Sequence, residues 1–143
     1  MPVYLDTSAL AKWYLNEVGS DVFVEWIKQQ DDVHISSLTV TEMRCLLARR
    51  KRMGEISAEL EQQIFATFTE DVERGFLSRQ PLLDQHAQAA IGLMEQLPQH
   101  PLRTLDAMHL AIARSIGVQT IATSDHVMAS AATSLEMEVI QFD

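Results

Sequence analysis

Residues 3–12 read VYLDTSALAK: an apolar run, a carboxylate at Asp6, two hydroxyl side chains, and then a helical pattern. VYL reads as a short buried strand and the segment from about Ser8 to Leu15 as a helix. An acid at such a junction has two readings. Asp6 can cap the helix that follows it. In an α/β fold it also stands at the C-terminal end of a strand, where reactive groups gather.

Outward from this stretch, strands and helices alternate. After Gly19, SDVFVEWIKQQ places Phe23, Trp26 and Ile27 on one helical face, and VHISSL at 33–38 reads as a second strand. TEMRCLLARRKRMG is a helix closed by Gly54. SAELEQQIFATFTEDVER, ended by Gly75, carries Leu60, Ile64, Phe68 and Val72 at a four-residue spacing, the stripe of a long amphipathic helix. FLSRQPL offers a strand, LDQHAQAAIGLMEQL and TLDAMHLAIARSIG two helices, and QTIATS and EVIQF two late strands around a short Ala-rich helix. Such alternation predicts parallel pairing through right-handed crossovers, hence a three-layer α/β/α sandwich with a central, mainly parallel sheet. No repeat or Gly/Ser-rich linker divides the chain, so residues 1–143 are expected to form a single domain.

The net charge of −9 argues against a general nucleic-acid coat protein, yet five of the 11 Lys and Arg residues fall between Arg44 and Arg52. The single cysteine, Cys45, lies in EMRCLLAR and reads as a buried structural thiol. No apolar run approaches the roughly 20 residues that cross a bilayer, and no leader pattern is present, so a cytoplasmic protein without membrane contact is expected.

Four acids stand where strands hand over to helices or where helices start: Asp6 in LDTS, Glu42 in LTVTEM, Asp106 in RTLDAMH and Asp125 in ATSDH. Each also has a capping reading. Asp6 and Asp125 suit N-caps, Asp106 suits a first helical turn, and Thr39 with Glu42 fits a capping box. Together they point elsewhere, because the fold would bring them to one sheet edge. Like charges crowded in one crevice either hold protons or bind a cation, and oxygen donors with few His or Cys nearby suit Mg²⁺ or Mn²⁺. One or two such ions lower the pKa of a bound water and offset charge on a phosphate in flight, which suits phosphodiester hydrolysis.

The blocks YLDTSAL, TVTEM, LRTLDAMHLAIA and IATSDHVMASAA, in this order across the whole chain, resemble the PIN domain, and closely the VapC type of toxin in bacterial toxin–antitoxin pairs. The resemblance implies a metal-dependent endoribonuclease with a central parallel sheet. The family's metal-site acids match Asp6, Glu42, Asp106 and Asp125, with Asp125 at the family's most variable position. Its expected hydroxyl two places after the first acid matches Ser8, and Thr123, or else Ser124, stands beside Asp125. The resemblance further implies a homodimer, a cognate antitoxin that covers the acidic groove, and substrates such as tRNA or ribosomal RNA.

Around that site, Arg44 lies within a turn of Glu42, and Arg49, Arg50, Lys51 and Arg52 extend away from it. They are candidates to hold RNA phosphates or antitoxin, against the plainer reading of a solvated helix end whose cations complement the dipole. His109, one turn after Asp106, is either a packed core histidine or a hydrogen-bond donor to a carboxylate. Trp13, Trp26, Leu60, Ile64 and Phe68 read as core or subunit interface. An aspartyl-phosphate enzyme is disfavoured because the last lysine is Lys51, and no phosphate-binding glycine motif is present. A catalytically inactive PIN-like scaffold is the remaining alternative; degenerate sites lose an acid, and this chain keeps a candidate at all four places.

Overall fold

In the computed structural model, which describes residues 1–143, Tyr4 pairs with His34 on one side and with Ile121 on the other, so the first strand lies at the centre of the sheet. The strands β1 (Val3–Leu5), β2 (Val33–Ser36), β3 (Ser78–Gln80), β4 (Thr120–Thr123) and β5 (Glu138–Gln141) are all parallel, in the order β3-β2-β1-β4-β5. Helices α1 (Thr7–Tyr14), α2 (Ser20–Ile27), α3 (Ser37–Arg52), α4 (Ala58–Glu73), α5 (Asp84–Gln96), α6 (Thr104–Ser115) and α7 (His126–Ser134) cover its two faces.

The two-residue alternation of β1 divides the core. Val3 and Leu5 join Leu10, Phe23, Ile35, Met43, Leu47 and Phe68 on one face, whereas Tyr4 joins Leu93, Leu110, Ile112, Ile121 and Met128 on the other. A parallel sheet buried on both faces needs such nearly continuous apolar runs, and the one polar side-chain atom in VYL, the Tyr4 hydroxyl, is hydrogen-bonded. No helix is long and apolar enough to cross a membrane.

Three local expectations change. The helix predicted from about Thr41 begins at Ser37, inside the predicted strand VHISSL, because Ser36 ends the strand and caps the helix. Ser36 Oγ accepts from Thr39 N at 3.4 Å and Thr39 Oγ1 accepts from Ser36 N at 3.1 Å. The capping box is therefore Ser36 with Thr39, and Glu42, further along the helix, plays no part in it. Second, of the residues expected in the core or a subunit interface, Ile64 and Phe68 enter the core, whereas Leu60, 41% exposed, and Trp13, 39%, lie outside it. A strict four-residue spacing drifts about 40° per step on a 3.6-residue helix, so Leu60, two steps from Phe68, has left the buried face. Third, Cys45 is exposed, not buried.

Candidate active-site cleft

The strand order reverses direction at β1: β2 and β3 lie on one side, β4 and β5 on the other. Ligands of open α/β sheets bind outside the C-terminal strand ends at such a point. Here Asp6 directly follows β1 and Asp125 closely follows β4, while Glu42 stands on α3 and Asp106 in the first turn of α6. All four line one cleft of about 600 Å³.

Asp6 is 4% exposed and held on both oxygens. Its Oδ1 accepts from Ala9 N at 3.0 Å and Ser8 Oγ at 2.7 Å, and its Oδ2 from Thr123 Oγ1 at 2.5 Å. Burial raises its pKa above the ordinary carboxylate value; nearby His109 and these donors oppose that rise without cancelling it. Ser8 and Thr123 thus orient the carboxylate, as their positions in the motif suggested. Thr123 Oγ1 also accepts from Asp125 N at 2.9 Å, whereas Ser124 Oγ is buried without a partner.

Glu42 behaves oppositely. Burial acts to raise its pKa, but His109, then Thr7, then Arg103 outweigh it and hold the carboxyl below its usual range. Thr7 Oγ1, at 2.7 Å, and His109 Nε2 both donate to Oε1, which leaves Oε2 without a protein donor. Asp106 is raised by burial first and by the charge of Asp125 second, against the pull of Arg103. Asp125 caps α7, its Oδ1 accepting from Met128 N at 3.0 Å. The capping readings of Asp6 and Asp125 therefore hold, and they coexist with a place in the cleft. Each cap also aims a helix N-terminus at the cleft, where partial positive charge offsets the crowded carboxylates.

Two arginines line this cleft, and neither is Arg44. Arg49 lies seven residues after Glu42, two turns along the same face of α3, with Cys45 and Leu46 between them. Arg44, two residues after Glu42, faces away: it pairs with Glu61 at 3.0 Å and lies 5.5 Å over the Phe65 ring. Arg50 pairs with Glu17 and with Glu55, the latter at 3.2 Å, while Lys51 and Arg52 are exposed at the end of α3. Arg103 carries no pattern in the sequence that marks it. It precedes α6, and its guanidinium lies 3.6 Å from Asp106 and 3.4 Å from Asp125.

No three of these side chains converge closely enough to hold one metal ion. The donor set nevertheless fits a hard divalent cation: four carboxylates from four elements, with Arg103 supplying positive charge beside two of them, Asp106 and Asp125.

The PIN domain family model matches residues 3–133, and the chain belongs to that family. It is 32% identical over 141 residues to Ribonuclease VapC46 of Mycobacterium tuberculosis, covering 96% of this chain and 95% of that protein, which groups it with the VapC type. Among solved structures, Mycobacterium tuberculosis VapC20, described as a sarcin-ricin loop cleaving toxin, superposes with a TM-score of 0.72 at 16% identity over 90% of this chain and 94% of that one. VapBC-5 of the same organism, a member of the VapBC family of toxin-antitoxin systems, superposes with a TM-score of 0.65 at 19% identity over 99% of both chains. At such identities these two establish the fold alone.

Proposed function

We propose that residues 1–143 act as one unit, a Mg²⁺- or Mn²⁺-dependent endoribonuclease that serves as the toxin of a toxin–antitoxin pair. The observation that carries this reading is that Asp6, Glu42, Asp106 and Asp125 all line one cleft at the sheet's switch point. When bound, one or two divalent ions supply Lewis acidity and an attacking water at neutral pH. The protein's part is placement: Asp6 is fixed by Ser8 and Thr123, Glu42 by Thr7 and His109, and Asp106 and Asp125 face each other across Arg103. Arg49 and Arg103 hold the phosphates flanking the scissile bond, which bare carboxylates would repel. The substrate class is structured RNA, tRNA or ribosomal RNA, the partner a cognate antitoxin, and the working form a cytoplasmic homodimer.

Expression of the chain followed by mapping of new RNA 5′ ends, against an Asp6→Asn control, tests the reading. New ends confined to one structured RNA site and absent from the control are expected; identical ends in both would count against it. The role of the arginines has its own measurement. In the Asp6→Asn background, Arg49→Ala should weaken RNA binding and reduce the dependence of log K on log salt by about one unit, whereas Arg44→Ala leaves the slope unchanged. Fluorescence anisotropy at several salt concentrations reads both, and an unaltered slope for Arg49→Ala removes it from the RNA path.

A further inference from the structure

Glu42 is held by a pair of donors that act on the same oxygen, and one of them has a structure of its own behind it. His109 reaches Glu42 Oε1 through Nε2, and its Nδ1 lies 2.6 Å from Tyr4 Oη, which lies 2.9 Å from Ser36 Oγ, the cap of α3. Tyr4 and His109 are 0% and 2% exposed, with their rings edge-on at 5.6 Å. Glu42 is itself on α3, so the contacts close a ring from the cap of α3 through the middle of β1 and through α6 back to α3.

Proton directions follow from the ends of this ring. A glutamate carboxylate at neutral pH only accepts, so the proton between it and His109 belongs to Nε2. With a neutral imidazole, Nδ1 accepts from the Tyr4 hydroxyl, and Tyr4 Oη accepts from Ser36. In this tautomer no polar atom of the ring is orphaned. Packing alone demands nothing of the kind: the neighbours of His109 in AMHLAIA are apolar, and a leucine would fill the same face.

We infer that His109, backed by Tyr4, is a positioning residue that fixes the rotation of Glu42, so that Oε1 is held by the protein and Oε2 is the oxygen presented to a divalent cation. The inference rests on the metal-site reading above. Without His109 the Glu42 carboxylate keeps only the Thr7 hydroxyl on Oε1 and is less firmly fixed about its last bond, which weakens cation binding; partners of this kind typically contribute 10–100-fold in metal affinity.

The test is Mn²⁺ binding, followed by the electron paramagnetic resonance of the free ion, together with the His109 tautomer from long-range ¹H–¹⁵N NMR of the metal-free protein. His109→Leu should weaken Mn²⁺ binding by roughly 10–100-fold. His109→Gln, whose amide nitrogen reaches the place of Nε2, should recover most of the loss. Tyr4→Phe keeps the ring packing but removes the proton given to Nδ1, so it should weaken Mn²⁺ binding less than His109→Leu does and redistribute the His109 tautomers. Wild-type affinity in His109→Leu, or a His109 whose Nε2 carries no proton, overturns the inference. Should His109→Leu fail to fold, His109→Gln and Tyr4→Phe decide it, and undiminished affinity with unchanged tautomers in Tyr4→Phe overturns it. Glu42→Gln separates the two levels. If it too binds Mn²⁺ as the wild type does, the metal-site reading falls; if it loses affinity while the His109 variants do not, only the positioning role falls.

Discussion

Asp6→Asn is expected to lower divalent-dependent RNA cleavage by more than about 100-fold while the fold remains intact, since groups that merely support metal ligands already account for 10–100-fold. The fold survives because asparagine caps a helix about as well as aspartate, so the bond to Ala9 N is retained, and the rotatable hydroxyls of Ser8 and Thr123 can turn to suit an amide. Stability should move in the opposite direction to activity. The Asp6 pKa is raised in the folded protein, chiefly by burial, so the folded state holds its proton more tightly than the unfolded chain does. The metal-free wild type is therefore favoured at low pH and loses that contribution as pH rises from the ordinary 3.8 through the raised value. Asparagine has no such loss. The urea midpoint of Asp6→Asn relative to wild type should climb across that window and level off above it; a cleaving Asp6→Asn enzyme, or a relative midpoint that falls with pH, contradicts the assignment.

Addition of Mn²⁺ at about 100 times its dissociation constant should stabilise the wild type by about 2.7 kcal/mol, a rise of roughly 10 °C in Tm for a chain of this size. The gain comes from binding to the folded state alone, since the four carboxylates line one cleft only there. Asp106→Asn separates two effects of the same residue. In the metal-free protein it removes the repulsion from Asp125 that, after burial, raises the Asp106 carboxyl, so the starting Tm should rise. With Mn²⁺ it should gain little further. Differential scanning calorimetry with and without the ion reads both, and an equal Mn²⁺-induced rise in wild type and variant excludes Asp106 from the cation site.

Much of the site was legible in the sequence because its acids are tied to punctuation. Asp6 and Asp125 mark the ends of β1 and β4, and local patterns reveal where strands end. What the sequence concealed were rotations. The rotation of α3 depends on whether Ser36 or Thr39 caps it, a choice made by the end of β2, and it decides that Arg49 faces the cleft while Arg44 turns to Glu61. The same choice frees Glu42 from the capping box in which Thr39 had placed it. Arg103 escaped for another reason: a lone arginine before a helix carries no pattern, and only the approach of α6 to the start of α7 gives it two carboxylates to face. The helix pattern alone leaves His109 either packed or functional, and in the structure it is both buried and bonded at each nitrogen, a distinction invisible along a single helix.

The bond from Thr123 to Asp6 spans 117 positions, and it has a consequence for synthesis. The central strand β1 is made well before its neighbour β4 and the hydroxyl that orients Asp6. A nascent chain that stops short of residue 123 has no donor for Asp6 Oδ2, one carboxylate fewer, and an unpaired edge along β1. Completion of the cleft therefore waits on the synthesis of β4 and the turn that follows it, however early the rest of the cleft has left the ribosome.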